Sequence, residues 1–332
     1  MSVLLYFYRE GKRMQRVREQ VQVPEQIYSV TWRSEPVTVA VLDTGIAYHP
    51  DLAGHLLCFR DFVEKSSLPY DDNGHGTHVC GILCGNGELS GGRLRGMAPA
   101  SKLVVGKVLD GKGEGSCDSM QEAFQWILRV KNRYQIRILN ISVGIGELKE
   151  RYKEQVLREY MELLWDHNIL VVCAAGNAGP EDGSISEMAS SRKVLTVGCH
   201  DGRYCKNDPK RCETYSGRGR KYDVIRKPDI VAPGTRILSC NAFWKNRNGR
   251  IFKPYIAKSG TSMATPIVSG AAALVLQKYP RMSNEEFLRR VALTATDLGE
   301  PWNTTTMHLC RQARAFIRRL STQLTPSKVS RH

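Results

Sequence analysis

The chain has 332 residues, 42% of them hydrophobic and 24% charged, with a formal net charge of +15. This balance is ordinary for a soluble globular protein, and the length allows one large α/β domain or two modest ones. No apolar run reaches the roughly 18–20 residues of a membrane-spanning helix, so no membrane partner is expected.

The N-terminal stretch MSVLLYFYREGKRMQRVREQ places a brief apolar patch before its charges. A secretion signal has the opposite order, with basic residues first, so the expected location is cytoplasmic. Residues 1–35 read as an extension, either a packing arm or a short inhibitory arm. From residue 37 onward, strand-like and helix-like segments alternate. VTVAVLD (37–43), KLVVGKVLD (102–110), IRILNISVG (136–144), ILVVCAAG (169–176) and KVLTVGC (193–199) are short, β-branched and apolar.

Helical patterns lie between the strands. In 116–134 the apolar residues Met120, Phe124, Ile127, Leu128 and Val130 recur mostly every three or four positions. Tyr152, Val156, Leu157, Tyr160, Leu163 and Leu164 do the same in the next helix. Near the C-terminus, Ser283 and Glu286 make a capping box before Phe287, Leu288 and Val291. The β-α-β-α order with continuously apolar strands predicts a doubly wound, mostly parallel sheet with helices on both faces. One domain over 36–320 is the economical division, with a flexible tail at 321–332.

Ten cysteines fit a reducing compartment if most are thiols. Cys80, Cys84, Cys117, Cys173 and Cys240 stand singly among small or apolar residues, as compact hydrophobes do. Cys199, Cys205 and Cys212 gather around His200, but at spacings of six and seven that lack the CxxC pairs of common zinc sites; a metal or a disulfide there is the minority reading. Residues 200–258 hold 15 Lys/Arg against 5 Asp/Glu, hence +10 of the net charge. This stretch, with a Cys-containing insertion near 200–222, reads first as a solvated surface and second as a basic face for acidic partners. It has no aromatic interleaving and no zinc-finger or RNA-binding signature, so no nucleic-acid partner is expected.

In a parallel sheet, ligands sit beyond the carboxyl ends of the strands. That rule selects Asp43, Ser142–Gly144 and Ala174–Asn177. SGTSMATP (259–266) sits at the mouth of a small-residue helix and offers Ser262 as a hydroxyl nucleophile. Pro266 is tolerable there because it falls in the first turn, whose amides lack partners anyway. In NGHGTHVCGILCG, a glycine-rich turn leads into an apolar helix and presents His75, with Gly76 allowing a second backbone to come close. His75 and His78 could also be polar caps or a metal pair, although the spacing is not that of H-E-x-x-H.

Taken together, DTG (43–45), HGTHVCG (75–81), AAGN (174–177) and SGTSMATP (259–266) run in the order Asp, His, Asn, Ser. They resemble the four signature segments of the subtilisin-like serine proteases. HPDL (49–52), GMAP (96–99), LNISVG (139–144) and KPDIVAPGT (227–235) extend the resemblance over roughly residues 37–295. The order Asp–His–Ser differs from the Ser–Asp–His of the α/β-hydrolases.

The resemblance implies a subtilisin-like α/β fold and a serine endopeptidase acting on proteins or peptides. It implies Asp43 as the carboxylate orienting the imidazole, His75 as general base, Ser262 as nucleophile and Asn177 as oxyanion donor. Ser142, Val143 and Gly144 on one side, with Ala174, Ala175 and Gly176 on the other, match the walls of the S1 cleft. The chemistry calls for no cofactor; a structural calcium ion is left open, with Asp51 as its candidate ligand. Glu187 is a candidate for the pocket floor, where it would favour basic P1 residues. The alternatives are a transamidase of the same fold and a non-catalytic peptide-binding protein. The short N-terminal extension resembles the intracellular branch of the family.

Overall fold

The computed structural model describes residues 35–143, 151–201, 211–220, 222–245 and 248–295, together with 14, 15, 17–19 and 21. Strands β1 (Thr38–Asp43), β2 (Leu56–Asp61), β3 (Lys102–Lys107), β4 (Ile136–Ile141), β5 (Leu170–Ala174), β6 (Leu195–Cys199) and β7 (Ile230–Ala232) form one sheet. Its order is β2-β3-β1-β4-β5-β6-β7, and every neighbouring pair is parallel. The chain runs to one side of β1 with β2 and β3, then to the other with β4. The switch in strand order therefore falls at the carboxyl ends of β1 and β4, where such sheets place their ligands.

Alternation along the strands separates two cores. Val39 and Val41 join one core with α1 (His75–Cys84) and α4 (Thr261–Lys278); Ala40 and Leu42 join the other with α2 (Cys117–Tyr134) and α3 (Arg151–Asp166). Because both faces are covered, the strands read as continuous apolar runs. A last helix, α5 (Asn284–Thr294), buries Phe287 and Val291 in the first core. Met14, Val17 and Val21 of the N-terminal segment join that same core, and Arg18 Nη1 donates to the Arg95 carbonyl at 2.6 Å.

Several expectations need correction. Strand 102–110 ends at Lys107, because Asp110 Oδ1 accepts the amides of Lys112 and Glu114 and turns the chain. Leu163 is exposed; the inner stripe of α3 is instead Leu157, Met161, Leu164 and Trp165. Only half of the capping box forms. Ser283 Oγ accepts the Glu286 amide, while the Glu286 carboxylate binds Arg290. Pro266 lies inside α4 and not in its first turn, so the helix lacks the amide that would bond the Ser262 carbonyl.

Cys199 and Cys212 are joined in a disulfide that ties the end of β6 to the turn at Cys212–Thr214. Their 13-residue separation hid this pairing, since a disulfide is set by distance in the fold and not by spacing in the chain. Cys205 lies outside the described residues. The basic stretch is also less uniform than its charge count implies. Lys227 is buried and donates to Asp229 Oδ2 and the Val194 carbonyl.

Residues 237–258 add a feature with no counterpart in the sequence reading. Strands β8 (Ile237–Cys240) and β9 (Tyr255–Lys258) pair antiparallel as a separate hairpin. Their connecting loop seats Trp244 over His49, with Trp244 Nε1 bonded to the Tyr48 carbonyl.

Candidate active site

Asp43 ends β1 and is fully buried. Its Oδ1 accepts the Thr44 amide at 2.8 Å and lies 2.7 Å from His75 Nδ1. A carboxylate only accepts, so Nδ1 carries the proton and Nε2 keeps its lone pair. Burial pushes the His75 imidazole down, but the charge of Asp43 and its hydrogen bond push it up further. The net position is above the ordinary histidine value. Of the pair, only His75 reaches solvent, with 22% of its side chain exposed.

The first turn of α1 places His75. Gly74 takes the left-handed conformation before it, with φ of 84°. Gly76 lies against the Gly45 carbonyl and the Asp43 side chain, where a Cβ would collide. Asp71 holds this turn to the end of β1. Its Oδ1 accepts from Thr44 Oγ1 and the Gly74 amide, and its Oδ2 accepts from the amide and hydroxyl of Thr77. Thr44 Oγ1 in turn accepts the Gly76 amide. Asp71 was not singled out in the sequence, although an aspartate three residues before Gly74 is the pattern of a carboxylate that caps a turn.

Lys107 was missed as well. It is fully buried, and its Nζ donates to the carbonyls of Thr44 and Leu109 and to Asp72 Oδ1. It thus fixes the same exit of β1 from the opposite side. Asn140 links β4 to α4, donating to Ser142 Oγ and accepting from Ser269 Oγ.

Ser262 is the second residue of α4. Gly260 precedes the helix with φ of 146°, a conformation that favours glycine, and its amide donates to the Gly234 carbonyl. Asn177 Oδ1 accepts the amide and the hydroxyl of Thr261 at 3.1 and 3.2 Å. That bonding fixes the orientation of the amide group and leaves Nδ2 as a donor beside the start of α4. Ser262 Oγ makes no hydrogen bond to His75 in this geometry; such contacts commonly tighten only when substrate is bound.

The cleft residues Ser142, Val143, Ala174 and Ala175 are buried at the ends of β4 and β5, and Gly176 is half-buried with φ of 88°. Gly144 lies outside the described residues. Glu187 is drawn to α3, its carboxylate bonded to Arg158 and its amide to Glu154. It is therefore not a free charge on a pocket floor.

Asp51 is buried, with Oδ1 accepting the Leu89 amide and Oδ2 the Tyr255 hydroxyl. The metal-ligating side chains beside it are His49 and Cys240. Of these three side chains only Asp51 offers oxygen, the ligand atom that calcium takes. His78, the other histidine of the motif, is wholly buried; its Nε2 lies 3.0 and 2.9 Å from the carbonyls of Ile237 and Ile256. Burial pushes it down to about 3, helped by the positive charges of His75 and Lys258. No helix among the described residues is long and apolar enough to cross a membrane.

Residues 34–310 match the model of the subtilase family. The chain is 38% identical over 266 residues to the serine protease AprX of Bacillus subtilis, covering 77% of this chain but 60% of that relative. It is 35% identical over 263 residues to subtilisin Savinase of Lederbergia lenta, covering 79% of this chain and 84% of that one. Among solved structures, Sphericase superposes with a TM-score of 0.68 at 26% identity, over 84% of this chain and 89% of that one. An S41 psychrophilic protease gives 0.65 at 30% identity, over 78% and 84%.

Proposed function

Since the chain belongs to the subtilase family, we propose that it is a serine endopeptidase that cleaves proteins or peptides through an acyl-enzyme. The observation that carries this reading is the His75–Asp43 contact at 2.7 Å, which leaves the Nε2 lone pair free to act as a base. Ser262 Oγ attacks the scissile carbonyl carbon while Nε2 of His75 takes its proton. The resulting imidazolium is stabilised by Asp43. Negative charge gathers on the carbonyl oxygen, for which Asn177 Nδ2 and the Ser262 amide at the start of α4 are the donors.

Collapse of this intermediate breaks the C–N bond, and His75 passes its proton to the leaving amine. Water then repeats the sequence against the acyl-enzyme and frees Ser262. The donors and the base are set by the protein beforehand, so little reorganisation is needed as charge develops. The small residues at the ends of β4 and β5 suit a sizeable apolar P1 side chain. The extended substrate backbone supplies the rest of its binding as an added strand. Six described cysteines outside any disulfide, against the two joined as Cys199–Cys212, support a reducing location, the cytoplasm.

Labelling with a fluorophosphonate, followed by mass spectrometry, tests the assignment. The expected result is one adduct on Ser262, absent in Ser262→Ala. An adduct elsewhere, or full peptidase activity in clean Ser262→Ala, overturns it.

A further inference from the structure

The two flanks of the cleft differ in charge. The described cleft residues at the ends of β4 and β5 are uncharged and small. Beside His75 stands the β8–β9 hairpin, and the sequence from Arg236 to Lys258 holds six Lys/Arg. No Asp or Glu occurs anywhere from residue 230 to residue 284.

The path of the proton says which part of a substrate lies there. His75 must protonate the leaving amine, so the amine nitrogen lies against His75, while the acyl side occupies the cleft at β4 and β5. The hairpin is fastened to the helix that begins with His75, through the bonds of His78 to the Ile237 and Ile256 carbonyls. The Phe243 ring lies beside Gly74, the residue before His75, and is 57% exposed. Lys258 ends β9, four residues before Ser262, and is half-buried. Its charge acts on both His75 and His78. No carboxylate of the described residues pairs with it.

We propose that Lys258 and Phe243 make the leaving-group side of the cleft selective for peptides with an acidic residue at the first or second position after the scissile bond. Lys258 pairs with the substrate carboxylate, and Phe243 covers the neighbouring side chain. A half-buried cation that no described carboxylate pairs with has already given up part of its hydration, so pairing costs it little more and gains the attraction. This selectivity rests on the peptidase reading and adds a substrate class to it.

Internally quenched peptides with one common acyl side test the proposal. They carry Glu, Gln or Lys at the first or second leaving-group position. In wild type at low salt, kcat/KM for Glu should exceed that for Gln by about five-fold, the upper range of an exposed ion pair. The ratio should fall to one in Lys258→Gln, reverse in Lys258→Glu, and shrink with added salt. Each ratio compares substrates within one enzyme, so it does not depend on the fraction of folded protein. A wild-type ratio of one, or a ratio unchanged in both variants, overturns the proposal. A p-nitroanilide with the same acyl side lacks leaving-group residues altogether. If wild type hydrolyses it and the peptide ratio is flat, this selectivity fails and the peptidase reading stands. If wild type hydrolyses no substrate and Ser262 takes no label, both fail.

Discussion

The mouth of α1 and its buried flank, three residues further on, each carry a histidine, and the two live in opposite surroundings. His75 at the mouth faces solvent on one edge and Asp43 on the other, and it lies above the ordinary histidine value. His78 is enclosed, serves two backbone carbonyls, and is held down to about 3. Chemistry needs the first environment, because a general base must gain and lose a proton near working pH. Structure needs the second, because a neutral imidazole can donate its proton to the two hairpin carbonyls and so tie the hairpin to α1. The same side chain thus does two jobs within one turn of helix, set by what lies opposite.

Replacing each histidine should break the pair apart. His75→Ala should reduce kcat by about 10⁶-fold, the order found when the base of such a triad is removed, with little change in Tm. His78→Ala should instead destabilise the fold by about 3 kcal/mol, because it leaves a buried cavity and removes the hydrogen bonds to the Ile237 and Ile256 carbonyls. Peptide hydrolysis and urea unfolding on both variants check this. A large loss of stability in His75→Ala with activity retained in its folded fraction would reverse the two roles.

Asp71 offers a finer test, since it positions the mouth without reaching the reacting atoms. Asp71→Asn keeps the shape but offers one acceptor oxygen where the carboxylate used two. It should cost about 2 kcal/mol by leaving a buried donor of Thr44, Gly74 or Thr77 unpaired. The activity that remains should show a lower kcat with KM nearly unchanged, as His75 drifts from Asp43. Thermal melts and steady-state kinetics separate the two effects; an unchanged Tm would show the clamp to be dispensable.

The motif residues were legible for a physical reason. Asp43, His75, Asn177 and Ser262 stand at strand ends and helix starts, where glycines and short polar runs interrupt apolar segments, and those interruptions are visible in one dimension. Even there, the letters HGTH did not say which histidine was which. The distinction depends on the Ile237 and Ile256 carbonyls, more than 150 residues away in the chain. Asp71 and Lys107 were missed because their roles are many short bonds to backbone, which leave no pattern of spacing. The β8–β9 hairpin was missed because its strands are only four residues each and lie in a stretch read as solvated charge. Pro266 was misjudged because the start of α4 depends on the Gly260 conformation and not on the apolar run that follows.

Acid should affect the two histidines differently, and the signs can be worked out. Activity needs neutral His75, so it should fall as pH drops through a midpoint above about 6.5, the ordinary value. Stability follows His78. As pH falls below about 6.5 the unfolded chain takes up a proton there, while the native state refuses it until about 3. The unfolded state is favoured progressively, by about 2 kcal/mol at pH 5 for this one group. Urea unfolding of wild type and His78→Gln at pH 7 and pH 5 isolates that share, since glutamine keeps a donor but does not titrate. An equal loss in both proteins would assign the acid sensitivity elsewhere.

The smallest expected effect concerns the cation between the two histidines and the solvent. Lys258 opposes a positive charge on His75, but it ranks behind burial, the Asp43 charge and the Asp43 hydrogen bond. Removing it should therefore move the acid limb of kcat/KM toward higher pH by only a few tenths of a unit, because the imidazolium becomes slightly easier to form. Raising the salt should move the wild-type limb in the same direction, since screening weakens the same repulsion, and should move Lys258→Gln less. The p-nitroanilide is the substrate for this measurement, because it presents no leaving-group residues for Lys258 to bind. A limb that stays in place in Lys258→Gln would mean that solvent already screens this charge from His75. The peptide ratios would then have to arise from direct contact between Lys258 and the substrate carboxylate, and not from a field that also reaches the base.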